Sequence, residues 1–253
     1  MPQSKEKMQN LEYVDPTNVK DRNLWVKAEH LGRYLWAKDI LIEHEAVTHH
    51  LDLGCATGYG LNILKDVVDG HLGLDYDAEA IASATEKGAH AQVFDLDKNR
   101  LKDLNKSFSS VTAFEVMEHF DDAETVVSDV FSSLTEDGLF LSSVPSEKFE
   151  KTDEQGKPAN IHHDRIFKDG EYESILKGAG FKVLGVFGQP QTATLPTFEK
   201  SLTKSGKIKS RLSRNPALQE MDALTVLTYL MAYPEEGNEA LDKSYTHIYL
   251  AQK

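Results

Sequence analysis

A glycine-rich turn between a strand and a helix is the feature that most limits how this chain can fold. The turn spans residues 54–60 (GCATGYG) and follows a short apolar run at 48–54. The segment 61–68 that comes after it has helical character. Small residues between a strand and a helix let the backbone approach a ligand closely, so the pattern indicates a cradle for a nucleotide-like molecule.

The rest of the first 190 residues alternates between strand-like and helical segments. Helices are predicted at 24–42, 77–87, 121–135 and 169–178, and further strands at 71–76, 90–95, 109–116, 139–145 and 182–188. Asp77 is an expected N-cap of its helix. Such alternation predicts right-handed βαβ crossovers around a mostly parallel sheet, the α/β class.

The C-terminal third departs from this alternation. About fifty residues, too many for a plain loop, separate the strand at 182–188 from a last strand at 245–252. They hold a basic run at 200–214 and a helix expected to begin at Asn215-Pro216, with one apolar face formed by Leu218, Met221, Leu224 and Leu227. We therefore predict three parts: an N-terminal segment and helix (1–45), a core (46–189 with 244–253), and a helical insertion acting as a lid (190–243).

Composition excludes several classes of protein. The chain has 28 Lys and Arg against 41 Asp and Glu, a formal charge of −13 that argues against charge-driven binding to nucleic acid or membranes. The single cysteine, Cys55, excludes an internal disulfide framework. The N-terminus is polar, and no apolar run of about 18 residues follows, so we expect no membrane insertion and a cytoplasmic location.

The spacing within the turn distinguishes between ligands. A dinucleotide fingerprint would place a glycine where Tyr59 stands, and a phosphate-binding loop would need a Gly-Lys-Ser/Thr tripeptide. The segment instead fits (D/E)-x-G-x-G-x-G, with Ala56 in place of the middle glycine. This pattern resembles motif I of class I S-adenosylmethionine-dependent methyltransferases, over roughly residues 28–187. The resemblance implies a Rossmann-like seven-stranded sheet, mostly parallel with an antiparallel last strand, and helices on both faces.

The same resemblance implies a set of cofactor contacts. Asp75, 21 residues after Gly54, would hold the ribose hydroxyls. Asp95 would accept from the adenine amine beside the backbone amide of Leu96, and Asp52 would orient the turn and face the amino acid end of the cofactor. Further implied contacts come from Tyr34, Gly54, Cys55, Gly58, Tyr76 and Glu115. At Ala56 a methyl group is tolerated if the backbone φ stays below zero, so we expect cofactor binding to survive there with a shifted loop.

Two more segments resemble one branch of that family. Residues 115–119 (EVMEH) are similar to the E-V-x-E-H stretch of ubiquinone O-methyltransferase-like proteins. Residues 29–34 (EHLGRY) are similar to a segment of small sugar and natural-product methyltransferases, and 163–167 with 179–181 match an H-x-x-x-F … A-G-F pattern. The resemblance implies O-methylation of a small hydroxylated molecule.

The chemistry after the fourth strand stays open between three alternatives. His119 and His163 are candidate general bases for an acceptor hydroxyl. Alternatively, Glu115, Glu118, His119 and His163 form an O/N site for a divalent cation that acidifies the acceptor. In the third alternative, Glu118 and His119 only orient a loop. We expect His162 to face solvent, and His49 and His50 to be structural.

We therefore predict an S-adenosylmethionine-dependent methyltransferase whose partner is a small-molecule acceptor such as a sugar, quinone precursor or natural product. One alternative is a metal-dependent RNA 2′-O-methyltransferase, favoured by the Glu/Glu/His set and the basic run at 200–214 but disfavoured by the charge of −13. Another is a non-catalytic protein that binds the cofactor. The sequence leaves a homodimer and N-methylation open.

Overall fold

The computed structural model describes residues 14–18, 24–44, 47–190 and 220–253. The basic run at 200–214 and the expected helix start at Asn215-Pro216 lie outside the described residues. Of the predicted insertion at 190–243, the structure describes Pro190 and residues 220–243.

The strands form one mixed sheet of eight, in the order β3-β2-β1-β4-β5-β8-β6-β7. Strands β1 to β5 are parallel, whereas β8 lies antiparallel between β5 and β6. The bounds are β1 His49–Leu53, β2 Gly70–Asp75, β3 Ala91–Val93, β4 Phe108–Phe114, β5 Leu134–Pro145, β6 Lys182–Gly188, β7 Glu235–Glu236 and β8 Thr246–Gln252. The predicted Rossmann-like α/β class is confirmed, with the short strand β7 added at the edge beside β6.

Seven α-helices accompany the sheet in the described residues. They are α1 Leu24–Glu43, α2 Tyr59–Leu64, α3 Ala78–Glu86, α4 Ala123–Ser133, α5 Glu171–Ala179, α6 Met221–Met231 and α7 Asn238–Lys243. Asp77 caps α3 as predicted, since its Oδ1 accepts from the backbone N–H groups of Glu79 and Ala80. In the part of the chain described, no helix combines the length and hydropathy needed to cross a membrane.

The core forms on both faces of the sheet because buried strand side chains alternate between them. On β5, Leu139 and Leu141 pack with α1 and α2, whereas Phe140 and Val144 pack with α4 and α5. Every residue of β4 is buried. The parallel strands therefore end at one common edge, held by apolar layers above and below.

Two strands, β5 and β3, differ from their predicted bounds in ways that affect the cavity edge or the sheet register. β5 begins at Leu134 rather than at 139, because Leu134 pairs with Phe108 before the register shifts. β3 is only three residues long, so Asp95 lies beyond its end. There the carbonyl of Asp95 accepts from the backbone N–H groups of Lys98 and Asn99, which forms a turn.

The N-terminal helix is part of the fold rather than a separate layer. Leu24, Ala28, Leu31 and Leu35 lie on one face and pack against Leu224 and Ala232, in and just after α6. Trp36 packs against Phe187 of β6 with ring centroids 5.0 Å apart. Ile42, near the end of the helix, is 56% exposed.

Candidate active site

A cavity of about 300 Å³ opens at the carboxyl edge of the parallel strands. Residues that follow β1, β2, β3 and β4 line it together, because these strands end at the same edge. The lining residues are Gly54, Ala56, Leu74, Asp75, Tyr76, Phe94, Asp95, Leu96, Asp97, Glu115, Val116, His119, Phe120 and His162.

The glycine turn needs small residues for two different reasons. Gly54 adopts φ 67°, and a Cβ there would lie 2.6 Å from Cγ2 of Val116, so a side chain would collide with the cavity wall. Gly60 lies under the ring of Tyr34, where a Cβ would be 2.1 Å from the nearest ring carbon. One glycine thus shapes the cavity, and the other lets α1 approach α2.

Ala56 adopts φ 45°, in the left-handed region, so the condition of a φ below zero is not met. The reason lies in the hydrogen bond that this backbone makes: the Ala56 N–H donates to Oδ2 of Asp75 at 2.9 Å. The turn keeps the conformation that a glycine would adopt, although an alanine is strained there.

Asp75 ends β2 and faces the cavity. Its Oδ2 accepts from Ala56, and its Oδ1 accepts from the backbone N–H of Asp77 at 2.9 Å. Burial raises the pKa of Asp75, although these backbone hydrogen bonds oppose the shift. Each carboxylate oxygen retains a second lone pair that a hydroxyl group could use.

Asp95, Leu96 and Tyr76 also line the cavity. The ammonium group of Lys98, 2.5 Å from Oδ2 of Asp95, lowers the pKa of this carboxyl group. Tyr76 is 66% exposed, at the rim. The two carboxylates of Asp75 and Asp95 therefore face the same space from neighbouring strands.

Asp52 and Tyr34 lie behind the cavity rather than in its wall. Asp52 is fully buried, and its carboxylate accepts from the hydroxyl groups of Tyr34 (2.9 and 3.0 Å) and Thr112 (2.6 Å). Burial raises the pKa of Asp52 to about 7 against these hydrogen bonds. Cys55 and Gly58 are likewise absent from the wall. In this geometry Asp52 holds α1 to the sheet.

His50 extends this buried polar chain. Its Nδ1 lies 2.9 Å from Oγ of Ser110, and its Nε2 lies 3.0 Å from Oγ1 of Thr112. Burial lowers the pKa of His50 to about 3, so the imidazole is neutral. His50 is structural, as the sequence predicts, whereas His49 is exposed.

Glu115 lines the cavity directly after β4, with φ 56°. Its Oε1 accepts from the Ser143 hydroxyl at 2.8 Å, and its Oε2 lies 3.4 Å from the Thr246 hydroxyl. These contacts direct its carboxylate toward β5 and β8.

A separate cluster brings together Glu118, His119 and His163. One potential ligand atom from each side chain lies within 4.8 Å of the others. Glu115 is not part of this group of three, and the predicted four-residue set stays a prediction. The imidazole rings of His119 and His163 meet edge to face with centroids 5.1 Å apart.

The loop at 160–165 completes the cluster. Its backbone N–H groups at Asp164 and Arg165 donate to the Glu118 carbonyl, at 2.9 and 3.2 Å. His162, expected to face solvent, lines the cavity instead. The loop folds back over the end of β4, and no local pattern in the sequence marks that contact.

Arg33 is a polar residue that sequence reasoning did not select. It is 3% exposed, and in the described part of the chain its hydrogen bond is to a neutral amide, Oε1 of Gln189 at 3.3 Å. Its Nε is buried and has no hydrogen-bond partner within the described ranges. A buried guanidinium without an anion is costly, so an anionic ligand would stabilise it. The available signal was its place in the EHLGRY segment.

Comparison with known proteins agrees with this arrangement. Residues 26–186, more than half of the chain, match a family described as a methyltransferase domain. The chain belongs to this methyltransferase family. The cofactor that the family implies is S-adenosylmethionine. The residues that line the cavity fit this cofactor. Asp75 and Asp95 offer carboxylates that can accept hydrogen bonds from the hydroxyl and amine groups of a nucleoside, and Gly54 lies beside them at a position with no space for a side chain.

The matched relatives and structures differ in what they share with this chain. A probable S-adenosylmethionine-dependent methyltransferase of Mycolicibacterium smegmatis is 32% identical over 140 residues, 54% of each chain. The chain thus spans about half the length of the curated relatives it matches. A Thermotoga maritima methyltransferase, titled a possible histamine N-methyltransferase, has a TM-score of 0.57 at 16% identity and covers 88% and 90% of the two chains. The [4+2]-cyclase SpnF has a TM-score of 0.53 at 14% identity and covers 86% and 80%.

Proposed function

We propose that this protein transfers the methyl group of S-adenosylmethionine to the oxygen of a small hydroxylated molecule. The observation that carries the proposal is the shared cavity at the sheet edge. There Asp75 and Asp95 line the same cavity as Gly54 and His119. The acceptor classes are those expected from the sequence: a sugar, a quinone precursor or a natural product.

The cofactor would be held at both ends: by hydrogen-bond acceptors at its neutral nucleoside end and by a cation at its amino acid carboxylate. The Asp75 carboxylate would accept from the ribose hydroxyls, and Asp95 with Leu96 would hold the adenine edge. The buried guanidinium of Arg33, which meets no anion among the described residues, would take the carboxylate of the amino acid end. Bound S-adenosylmethionine supplies a methyl group on a positively charged sulfur.

His119 is the favoured general base. Its Nδ1 lies 2.6 Å from the His162 carbonyl oxygen, which can only accept, so Nδ1 carries the hydrogen. The neutral ring then has its lone pair on Nε2, the form that removes a proton from a hydroxyl group. His163 is oriented similarly by Glu150, whose Oε1 lies 3.1 Å from its Nδ1.

A divalent cation on Glu118, His119 and His163 is the second candidate for handling that proton. A histidine that ligates a metal usually donates its other ring N–H to a carbonyl or carboxylate, and both histidines meet this condition. A carboxylate with two imidazoles suits zinc or another transition metal. These side chains would hold the cation, which would acidify a bound hydroxyl group.

Two other functions remain as alternatives. RNA 2′-O-methylation draws support from the basic run at 200–214, and the charge of −13 opposes it. A protein that binds the cofactor without methyl transfer draws support from SpnF, which shares the fold and is titled a cyclase. In both cases Asp75 and Asp95 would keep their roles.

The same proposal includes a lid over the acceptor. We infer that α1 and the insertion 190–243 form a lid, supported by the packing of α1 against α6. The division of the chain into 1–45, a core and an insertion, a cytoplasmic location and a homodimer stay predictions.

The test is incubation of the protein with methyl-labelled S-adenosylmethionine and a cell extract divided into small-molecule, RNA and protein fractions. Label in the small-molecule fraction, lost with His119→Ala, is the expected result. Label in RNA would favour the RNA alternative, and cofactor binding without any labelled product would favour the binding protein. Repeating the assay with a chelator, and then with metal added back, distinguishes the general base from the metal. Methyl transfer that is abolished by the chelator and recovered with added zinc would support the cation.

A further inference from the structure

The segment 14–18 lies across the glycine turn, although it is more than thirty residues away in the sequence. Asp15 is 6% exposed. Its Oδ2 accepts from the Thr57 hydroxyl at 2.8 Å and from the Lys87 ammonium at 2.5 Å. A single carboxylate oxygen thus joins the N-terminal segment to the turn and to the end of α3.

The same segment is fastened on its other side. Oδ1 of Asp15 accepts from the backbone N–H of Thr17 at 2.8 Å, and the carbonyl of Asn18 accepts from the Lys27 ammonium of α1 at 2.6 Å. Val14 is 3% exposed. The carboxylate is therefore held in place before it meets Thr57, so the bond to the turn loses little conformational entropy.

Charge makes this bond strong. Burial raises the pKa of Asp15, but the hydrogen bonds from Lys87, Thr17 and Thr57 outweigh it and leave the pKa below its ordinary value. Asp15 is an anion at neutral pH, and hydrogen bonds to a charged acceptor are stronger than neutral ones.

Thr57, the residue that Asp15 contacts, lies between two residues in the left-handed backbone conformation. Ala56 has φ 45° and Gly58 has φ 74°, on either side of Thr57. The left-handed conformation costs glycine nothing but is unfavourable for alanine. The Ala56 N–H reaches Asp75 in this conformation, so the strained turn and the cofactor carboxylate are connected.

We propose that Asp15 is a positioning residue for the cofactor site: through Thr57 it holds the turn in the left-handed form that alanine at position 56 disfavours. A glycine at that position would make the clamp largely unnecessary. The clamp, defined as Asp15 and Thr57, deepens the proposed function and rests on it, because its purpose is to present Ala56 and Asp75 to the cofactor.

A double-mutant cycle tests this directly. Calorimetric titration with S-adenosylhomocysteine compares the wild type, Asp15→Ala, Ala56→Gly and the double variant. We expect Asp15→Ala to weaken binding about tenfold alone, and about twofold or less when combined with Ala56→Gly, because the strain of a left-handed alanine corresponds to about tenfold or more. Equal losses in both backgrounds would overturn the proposal, since Asp15 would then act independently of position 56.

Two control comparisons separate the clamp from a general effect on folding. Thr17→Ala removes the hydroxyl group that donates to Oδ1 of Asp15 at 2.5 Å, and it leaves the hydrogen bond between Thr57 and Oδ2 in place. The affinity of this variant for S-adenosylhomocysteine should therefore stay within about twofold of the wild-type value. Thr57→Ser keeps the hydroxyl group and should also bind normally, whereas Thr57→Val should reproduce Asp15→Ala. Normal binding by Thr57→Val would contradict the clamp.

Hydrogen exchange without any ligand provides the readout that is independent of the proposed function. Amides 56–58 should exchange faster in Asp15→Ala than in the wild type, and Ala56→Gly should reduce that difference. If the wild type binds no cofactor, the proposed function fails, and exchange still decides whether the clamp exists. If the wild type binds but exchange at 56–58 is unchanged by Asp15→Ala, the clamp fails.

Discussion

Nδ1 of His119 lies 2.6 Å from the carbonyl oxygen of His162, two residues that come from loops more than forty positions apart. The contact fixes the tautomer of a cavity-lining imidazole, because a carbonyl oxygen can only accept a hydrogen bond. It also ties the end of β4 to the loop that carries His163. The proton chemistry that we propose depends on this contact.

Replacing His119 should affect the chemical step more than cofactor binding. For His119→Ala we expect kcat to fall about 10²- to 10⁴-fold, the usual contribution of a general base, with S-adenosylhomocysteine affinity within about threefold. The measurement is methyl transfer to the labelled acceptor fraction alongside calorimetry. The matched control is His90→Ala, since His90 is exposed and does not line the cavity. This variant should leave kcat and S-adenosylhomocysteine affinity unchanged. Full activity in His119→Ala would exclude the base and metal roles of this side chain.

Removing the Asp75 carboxylate should abolish tight cofactor binding. We expect Asp75→Ala to weaken S-adenosylhomocysteine binding about 100-fold or more, since two hydroxyl groups lose a charged acceptor. Asp77→Ala is the comparison: it removes the cap of α3 and should cost about 1 kcal/mol of stability with little loss of affinity. Calorimetry and thermal unfolding of both variants measure the difference. Equal losses of affinity would show that Asp75 acts only through the local fold.

Replacing Arg33 should make the free protein more stable and weaken its binding of the cofactor. Among the residues that the structure describes, the partner of its buried guanidinium is an amide rather than an anion, so Arg33→Met should raise the unfolding free energy of the free protein by about 1–3 kcal/mol. The same variant should bind S-adenosylhomocysteine at least about tenfold more weakly. Its affinity for 5′-methylthioadenosine, which lacks the amino acid carboxylate, should be unchanged. A parallel loss for both ligands would place Arg33 away from that carboxylate.

Asp52 should make the folded state less stable as the pH rises. Its pKa in the folded protein is about 7 against 3.8 as the ordinary value, so between these values the folded state binds more protons than the unfolded state. Its contribution to the unfolding free energy therefore falls as pH rises from about 4 to about 7, by on the order of 4 kcal/mol at most.

The neutral His50 acts in the opposite direction, since its pKa of about 3 lies below the ordinary 6.5 and its contribution rises over that window. The contribution of Asp52 is therefore isolated by comparing the unfolding free energies of the wild type and Asp52→Asn at each pH. Denaturant unfolding of the wild type and Asp52→Asn at pH 5 and pH 8 should show the wild type losing stability relative to the variant at the higher pH. A difference that does not change with pH would contradict the raised pKa.

Much of the fold follows from local patterns in the sequence. Apolar periodicity located the parallel strands, and Asp77 marked the start of α3, because these signals depend on neighbouring residues alone. Asp75 and Asp95 could be assigned to one edge since parallel strands end together. The positions of Asp52 and Tyr34 could not be foreseen in this way. Their burial depends on how α1 crosses the sheet, which is a tertiary contact.

Backbone conformation was the least predictable property. The sequence gives no sign that Ala56 adopts φ 45°, because its cause, a hydrogen bond to Asp75, comes from another strand. The same holds for His162, which the 160–165 loop brings to the cavity through hydrogen bonds to the Glu118 carbonyl. Long-range hydrogen bonds determine both positions.

Calorimetric titration of the purified protein with S-adenosylmethionine and S-adenosylhomocysteine tests the central claim, that this cavity holds the cofactor. We predict saturable binding with one ligand per chain, lost in Asp75→Ala and retained in Asp77→Ala. Absence of any binding heat for both compounds over a range of temperatures, with no thermal stabilisation of the folded wild-type protein, would contradict the account.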